Sequence, residues 1–144
     1  MMTTTAPAKL NLTLEVLKKR TDGFHEIRSV VQTVSFNDKL KIGAATKVEY
    51  KCNLPEWSAT KSLVAKAVSL LQNGTGCRQG ALIEIEKRIP ISSGLGGDSS
   101  DAAAALRGLS LLWNLKLSLR DLIGYATQLG SDVPPFPLRR YGLN

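Results

Sequence analysis

Apolar and polar residues alternate in several short stretches of the first half of the chain. From Leu10 to Val16 every second residue is apolar, which is the period of a half-buried β-strand. Thr21-Asp22-Gly23 then predicts a turn, because glycine tolerates the backbone angles that many turns require. A stretch rich in β-branched residues at 26–36 predicts a second strand. Shorter patterns of the same kind predict strands around 39–42, 46–52 and 81–86.

The spacing becomes helical in the second half of the chain. Over 58–72 apolar residues recur every three or four positions, with Ser58 or Thr60 as the expected cap and Asn73-Gly74 as the expected end. A second helix is expected over about 99–112.

A last helix is expected over 118–129, capped by Ser118 and ended by Gly130. In the helix before it, the alanines at 102–105 permit close packing against a sheet, and Asp101 is expected to complement the helix dipole. Strands precede helices in blocks along the chain. That order favours an α+β fold over a regular βαβα arrangement.

Composition and charge narrow the class of protein. A chain of 144 residues, 43% hydrophobic and 22% charged, is long enough for one globular domain with a sizeable core. The net charge of +7 favours an anionic partner, although a solvated basic surface explains it equally well. The basic clusters are too short to indicate a nucleic-acid patch: Lys18-Lys19-Arg20, Lys87-Arg88 and Arg139-Arg140.

The cysteines and the apolar runs give no evidence of a metal site, a disulfide framework or a membrane segment. Cys52 and Cys77 occur without C-x-x-C spacing or a histidine cluster, so neither metal binding nor a disulfide framework is expected. No apolar run approaches the roughly 20 residues that span a bilayer, and no signal peptide is visible. The expected compartment is the cytoplasm, with no membrane partner.

The most informative segment lies between the strand at 81–86 and the helix that follows. Its glycines, Gly94, Gly96 and Gly97, let the backbone turn tightly and approach a ligand with no Cβ in the way. The next helix would point its free N–H groups at this loop, which is the arrangement of a phosphate site. The lysine of a P-loop and the glycine spacing of a dinucleotide fingerprint are both missing. A flexible strand–helix turn with a serine cap is the alternative.

The stretch from Pro90 to Ala103, Pro-x-x-x-Gly-Leu-Gly-Gly-x-Ser-Ser-Asp-Ala-Ala, resembles the second signature of the GHMP kinases. The resemblance implies an α+β fold of the ribosomal protein S5 domain 2-like type, with ATP and Mg²⁺ as cofactors and the metal ligands unassigned. This form of the motif is most similar to that of family members that phosphorylate the 2-hydroxyl of cytidine diphosphate-linked methylerythritol in non-mevalonate isoprenoid synthesis. By the same resemblance ATP is bound by Pro90, Ile91, Ser92, Ser93, Gly94, Leu95, Gly96, Gly97, Asp98, Ser99 and Ser100.

The N-terminal segment Ala6-Pro7-Ala8-Lys9-Leu10-Asn11-Leu12 resembles the opening of the same kinases. The match implies that Lys9 is catalytic and lies beside the reacting hydroxyl, where a cation offsets charge on the γ-phosphoryl group. It also implies a substrate contact at Asn11. Without the resemblance, an exposed lysine at a strand end is the simpler interpretation.

Two more segments extend the match. Asp22-Gly23-Phe24-His25-Glu26 resembles a segment whose aromatic residue and histidine hold the cytidine ring; Phe24 replaces the usual tyrosine, so stacking is kept and a hydroxyl contact is lost. Leu129-Gly130-Ser131-Asp132-Val133-Pro134 resembles the segment that carries the proposed general base, here Asp132. A surface histidine and an Asx turn before proline are the simpler alternatives.

The resemblance covers residues 6 to about 134. We therefore expect the N-terminal, ATP-binding domain of a GHMP kinase at 1–133 and a divergent tail containing proline and arginine at 134–144. Full members are about twice as long, so the chain is expected to be truncated, with the C-terminal domain missing as an intramolecular partner. An out-of-frame tail would explain the lost pattern. The alternatives are a non-catalytic nucleotide- or phosphate-binding module and an RNA-binding domain.

Overall fold

The computed structural model describes residues 2–7, 37–89, 97–130 and 133. The strands in these residues are β1 (Met2–Pro7), β2 (Asn37–Gly43), β3 (Val48–Cys52) and β4 (Ala81–Glu86). The helices are α1 (Leu63–Thr75), α2 (Gly97–Leu112) and α3 (Leu119–Leu129), with a 3₁₀ turn at Ala59–Lys61. The predicted strands around 39–42, 46–52 and 81–86 are confirmed. The strand from Leu10 to Val16, the turn at 21–23 and the strand at 26–36 lie outside the described residues.

The four strands form one sheet in the spatial order β1-β2-β4-β3. β2 is antiparallel to both of its neighbours, with Leu40 opposite Thr4 of β1 and Ile85 of β4. β3 runs parallel to β4, with Tyr50 opposite Ile83, and α1 supplies the crossover that a parallel pair requires. This mixed sheet with its helices confirms the α+β fold class.

β1 is a strand that the sequence pattern did not reveal. Its sequence, MTTTAP, is rich in β-branched threonine but has no apolar alternation, and Ala6 is its one fully buried residue. The strand exists because six residues pair with β2. The residues with which it pairs are 30 to 40 positions away along the chain, a separation that local pattern analysis cannot detect.

One hydrophobic cluster joins the sheet to the helices. The period of two along the strands and of about 3.6 along the helices places each element's apolar residues on one face. The strands contribute Leu40, Ile42, Ala81, Ile83 and Ile85. The helices contribute Val64, Ala67, Val68 and Leu71 from α1, and Ala103, Ala104, Ala105, Leu106 and Leu109 from α2.

α2 lies very close to the sheet. Its alanines at 102–105 are at most 1% exposed. A Cβ on Gly108 would lie 2.5 Å from Cδ1 of Ile42, so the helix passes so close over β2 that a larger residue there would require the Ile42 side chain to shift. The prediction of close packing by small residues is confirmed. None of the helices in the described part of the chain is long and apolar enough to cross a bilayer.

The predicted bounds of α1 were wrong at both ends. Ser62 is the cap, since its Oγ accepts a hydrogen bond of 3.0 Å from Val64 N. Of the predicted caps, Ser58 precedes the 3₁₀ turn and Thr60 lies within it. Gly74 does not end the helix; it lies inside it and packs directly against the Tyr125 ring. The helix ends at Gly76, whose φ of 73° is in the left-handed region that favours glycine.

The start of α2 differs by two residues from the prediction, and α3 agrees with it. α2 begins at Gly97. At α3 Ser118 Oγ accepts from Asp121 N at 3.1 Å, and Asp121 Oδ2 accepts from Ser118 N at 3.1 Å, which forms a capping box. Gly130 ends this helix as predicted, donating its N–H to Ala126 O.

Candidate functional site

The predicted phosphate loop is flanked by the elements that its motif requires. β4 ends at Glu86, and α2 begins at Gly97. Residues 90–96 lie outside the described part of the chain, but both of their flanks are described. The glycine-rich segment therefore connects a buried strand to the N-terminus of a long helix, as expected of a phosphate-binding loop.

The flank that leads into the loop is held by Asp38, near the start of β2. Asp38 is fully buried. Its Oδ1 accepts hydrogen bonds from the backbone N–H groups of Arg88 at 2.6 Å and Ile89 at 2.8 Å. Its Oδ2 accepts from Lys87 Nζ at 2.7 Å. One carboxylate thus fixes three consecutive residues immediately before the loop.

Asn53, just after β3, holds the same flank from the other side. Its Oδ1 accepts from Lys87 N at 2.7 Å, and its Nδ2 donates to Lys87 O at 3.2 Å. Its own N–H donates to Ile85 O at 3.3 Å. These bonds continue the β3–β4 pairing with a side chain after the strands have ended, so the backbone remains ordered up to the loop.

Lys87 connects the two flanks. Its Nζ donates to Asp101 Oδ2 at 2.8 Å, and Asp101 is a fully buried residue near the start of α2. Gly97 packs against this end of the strand, since a Cβ there would lie 3.2 Å from Lys87 Nζ and 3.0 Å from Ile89 Cγ2. The first residue of the helix therefore contacts the last residues before the loop. The loop begins and ends at nearly the same place.

Asp38, Lys87 and Asp101 form a buried cluster of ionisable groups, and each group has a shifted pKa. Burial disfavours the charged form of each group. Burial alone would lower the pKa of Lys87, but its contacts with Asp101 and Asp38 raise it above the ordinary value. Burial alone would raise the pKa of Asp38, but hydrogen bonds from Asp101, Lys87 and two backbone N–H groups lower it.

The pKa of Asp101 shifts in the opposite direction from that of Asp38. Burial and the hydrogen bond with Asp38 raise the pKa of Asp101 to about 9, against the influence of the Lys87 ammonium. Two carboxyl groups share one cation, and Asp38 is the ionised one because it alone also accepts backbone N–H groups. At neutral pH the cluster therefore holds one ammonium, one carboxylate and one protonated carboxyl group. The expectation that Asp101 complements the helix dipole was wrong, because α2 begins at Gly97 and its first-turn acid is Asp98, whereas Asp101 is buried and bonded to Lys87.

Asp98 is the acid in the first turn of α2, and its exposed carboxylate contacts a second helix. Its Oδ1 accepts from Ser62 Oγ at 3.2 Å, and both oxygens accept from Leu63 N, at 3.2 and 3.3 Å. α1 and α2 thus begin side by side, with one negative charge between their two positive ends. The sequence placed Asp98 in the loop without indicating this contact.

Ser99 and Ser100 lie in the first turn of α2, where the backbone N–H groups have no partners within the helix. Ser100 is 1% exposed, and its Oγ has no hydrogen-bond partner among the described residues. Asp101 Oδ1 has none there either. A buried hydroxyl without a partner costs stability, so Ser100 is a group that a ligand at this helix end would satisfy.

The remaining predicted site residues lie outside the described part of the chain. For these positions the assignments stay predictions: Lys9, Asn11, Phe24, His25, Pro90, Ile91, Ser92, Ser93, Gly94, Leu95, Gly96 and Asp132.

Three residues that support the loop were missed by sequence analysis. Lys87 was counted in a basic surface cluster, yet its side chain is 3% exposed. Asp38 and Asn53 carried no signal, although an acid at the start of a buried strand is unusual enough to be noticed. Their partners are 34 to 51 residues away along the chain.

Comparison with known proteins identifies the family. A family model for the GHMP kinases N terminal domain matches residues 62–139, more than half of the chain. The 4-diphosphocytidyl-2-C-methyl-D-erythritol kinase of Dehalococcoides mccartyi is 48% identical over 136 residues, which cover 94% of this chain and 48% of that protein. The chain spans about half the length of the curated relatives it matches.

Solved structures agree with this assignment. A crystal structure of 4-(cytidine 5'-diphospho)-2C-methyl-D-erythritol kinase is similar with a TM-score of 0.66 at 31% identity, over 94% of this chain and 48% of that chain. The mevalonate kinase of Methanococcus jannaschii has a TM-score of 0.63 at 15% identity over 94% of this chain and 47% of its own, a likeness of fold alone. With the family model covering more than half of its length, the chain belongs to the GHMP kinases.

Proposed function

We propose that this chain carries the ATP-binding part of a kinase that phosphorylates the 2-hydroxyl of 4-diphosphocytidyl-2-C-methyl-D-erythritol, a step in non-mevalonate isoprenoid synthesis. The observation that carries the proposal is the glycine-rich connection between β4 and α2, whose two flanks Lys87 joins. The relatives that bear this kinase's name support the choice of substrate.

In this proposal the ATP phosphates lie against residues 90–100. The N–H groups at the start of α2 and the buried Ser100 hydroxyl are donors that suit phosphate oxygens. Mg²⁺ commonly binds through one or two protein oxygens together with substrate phosphates and water. Asp98, Ser99 and Ser100 have side-chain oxygens that fit this kind of site. The described residues contain no group of three or more His, Cys, Asp or Glu side chains that would hold a metal, and a Mg²⁺ bound mainly through phosphates does not need one. When bound, the metal offsets charge on the phosphates.

The transfer step is assigned to residues whose motifs match the family. Asp132 accepts the proton of the substrate hydroxyl as its oxygen attacks the γ-phosphorus, and ADP leaves. Lys9 stabilises the negative charge that develops on the attacking oxygen and the phosphoryl group. Phe24 stacks on the cytidine ring while Asn11 and His25 hold the substrate. The reaction consumes ATP, and we place it in the cytoplasm.

The division of the chain at 133/134 is part of the same proposal. Residues 1–133 would form the ATP-binding domain, and 134–144 would be a divergent tail. In relatives about twice as long, a second half would complete the substrate site as an intramolecular partner.

The direct test is ATP consumption by the 144-residue chain with 4-diphosphocytidyl-2-C-methyl-D-erythritol and Mg²⁺, with Asp132→Asn as the control. We expect turnover that disappears in Asp132→Asn. Bound ATP without turnover would instead support a non-catalytic nucleotide-binding module. A chain that binds no ATP would contradict both.

The RNA-binding alternative gains nothing from the structure. Lys87 and Arg107, two of the cations that make the chain basic, are buried and cannot contact a phosphate backbone from the surface. Binding of RNA that weakens steeply with salt, in the absence of ATP binding, would revive it.

A further inference from the structure

We propose that Asp38 and Lys87 are positioning residues of the phosphate loop, holding its two ends together on the sheet so that the N-terminus of α2 faces the bound phosphates. The proposal rests on the proposed ATP-binding function and adds to it a device that lies entirely outside the loop motif. Neither residue is assigned a contact with ATP; both act through the backbone and through α2.

Asp38 holds the segment that leads into the loop. Asp38 uses both carboxylate oxygens, one on the N–H groups of Arg88 and Ile89 and the other on Lys87 Nζ. Burying a carboxylate and an ammonium is costly, and apolar residues of similar volume usually stabilise a core as well or better. Three hydrogen bonds to the last residues before the loop therefore indicate a role in geometry rather than in stability alone.

Lys87 holds the start of α2, which follows the loop. Lys87 Nζ bridges Asp38 on the sheet and Asp101 on α2, with bonds of 2.7 and 2.8 Å. Gly97 packs onto Lys87 and Ile89 so closely that a Cβ would lie only 3.0 to 3.3 Å from their side chains. The start of α2 thus has a fixed position relative to β4. A helix N-terminus must point its N–H groups accurately at a phosphate, and a fixed start provides that without a ligand.

The two carboxyl groups differ in a way that can be tested. Asp38 bonds the backbone of the loop's entry, whereas Asp101 bonds Lys87 and has an oxygen without a partner among the described residues. In Asp38→Asn, one oxygen is replaced by an amide NH₂ that cannot accept a hydrogen bond from the ammonium. In Asp101→Asn, the amide oxygen can still accept a hydrogen bond from Lys87, so the bridge from Lys87 to α2 is kept.

The experiment is titration calorimetry of Mg·ATP at pH 7 on the wild-type chain, Asp38→Asn and Asp101→Asn. Trp113→Phe is the matched control: it removes a buried hydrogen bond from Trp113 Nε1 to Gly80 O, about 24 Å from Gly97 along α2. We expect at least tenfold weaker binding for Asp38→Asn and changes below threefold for Asp101→Asn and Trp113→Phe. Equal affinities for the two Asn variants, both folded by circular dichroism, would overturn the proposal.

Hydrogen exchange in the wild-type chain without nucleotide gives an independent answer. The amides of Arg88 and Ile89 should exchange at least 100-fold more slowly than in an unstructured peptide. Exchange at the unstructured rate would refute the positioning role, even if Asp38→Asn failed to fold. A wild-type chain that binds no Mg·ATP would refute the positioning of a phosphate site together with the proposed function. If the amides of Arg88 and Ile89 were still protected in that case, their hydrogen bonds to Asp38 would form without serving an ATP site.

Discussion

Lys87 Nζ lies 2.8 Å from Asp101 Oδ2, so the side chain that follows β4 reaches across the base of the phosphate loop to the helix on its other side. The fourteen-residue separation between them contains the whole ATP motif. The loop is thereby closed by a buried hydrogen bond from the Lys87 ammonium as well as by the strand and helix that flank it.

Removing this cation should destabilise the fold. In Lys87→Met the buried Asp38 carboxylate loses its counter-charge, which typically costs roughly 3–5 kcal/mol. Arg88→Met is the control, because the neighbouring Arg88 is half exposed and pairs with Glu86 only at 3.5 Å; it should cost less than about 0.5 kcal/mol. Urea unfolding of both variants measures the difference, and similar free energies of unfolding would contradict the buried pair.

The raised pKa of Asp101 predicts a dependence of stability on pH. The pKa is about 9 in the fold and near 3.8 when the chain is unfolded, so folding takes up a proton between these values. The stabilisation from protonated Asp101 is complete below pH 3.8 and is lost as pH rises to about 9. Asp38, with its pKa lowered from 3.8, and Lys87, with its pKa raised from 10.5, titrate outside this window.

We therefore expect the free energy of unfolding to fall between pH 6 and pH 9 more steeply in the wild type than in Asp101→Asn. The difference in slope should approach about 1.4 kcal/mol per pH unit, the value for one proton. Urea denaturation across the pH range gives both curves. Parallel curves would mean that Asp101 is ionised in the fold.

Two Gly→Ala substitutions in helices should have opposite effects. Gly124 of α3 has open space where a Cβ would go, so Gly124→Ala should stabilise by about 0.5–1 kcal/mol. Gly97→Ala would press on Lys87 and Ile89 and should lower both the melting temperature and the affinity for Mg·ATP. Thermal melting and calorimetry compare them. A Gly97→Ala chain that melts as high as Gly124→Ala would show that the contact at Gly97 is not tight.

Ser62 and Asp98 should be energetically coupled. Ser62 caps α1, and Asp98 accepts from both the Ser62 hydroxyl and Leu63 N. Each alanine substitution should cost about 1 kcal/mol as the loss of a cap. The double variant should cost less than the sum by at least about 0.5 kcal/mol, because one substitution already breaks their shared bond. Additive costs in a urea double-mutant cycle would indicate independent caps.

Local features of the chain were predictable from the sequence. The capping box of Ser118 and Asp121, the alanines at 102–105 and the strand at 81–86 all depend on residues within a few positions of one another. The strand–loop–helix context of the glycine-rich motif was predicted for the same reason. Where a cap is chosen among several serines and threonines, as at Ser62, the local pattern is not enough, because tertiary contact with Asp98 favours one start.

The sequence by itself thus determined the family motif, the fold class and most of the helices and strands. Only the tertiary structure decided that Lys87 is buried rather than on the basic surface, and that Asp38 and Asp101 are its partners from 49 and 14 residues away. Backbone preferences and side-chain period act over a few residues, and the sequence records them directly. The partner of a buried charge depends on which strands and helices come together, and this is settled only when the whole core packs.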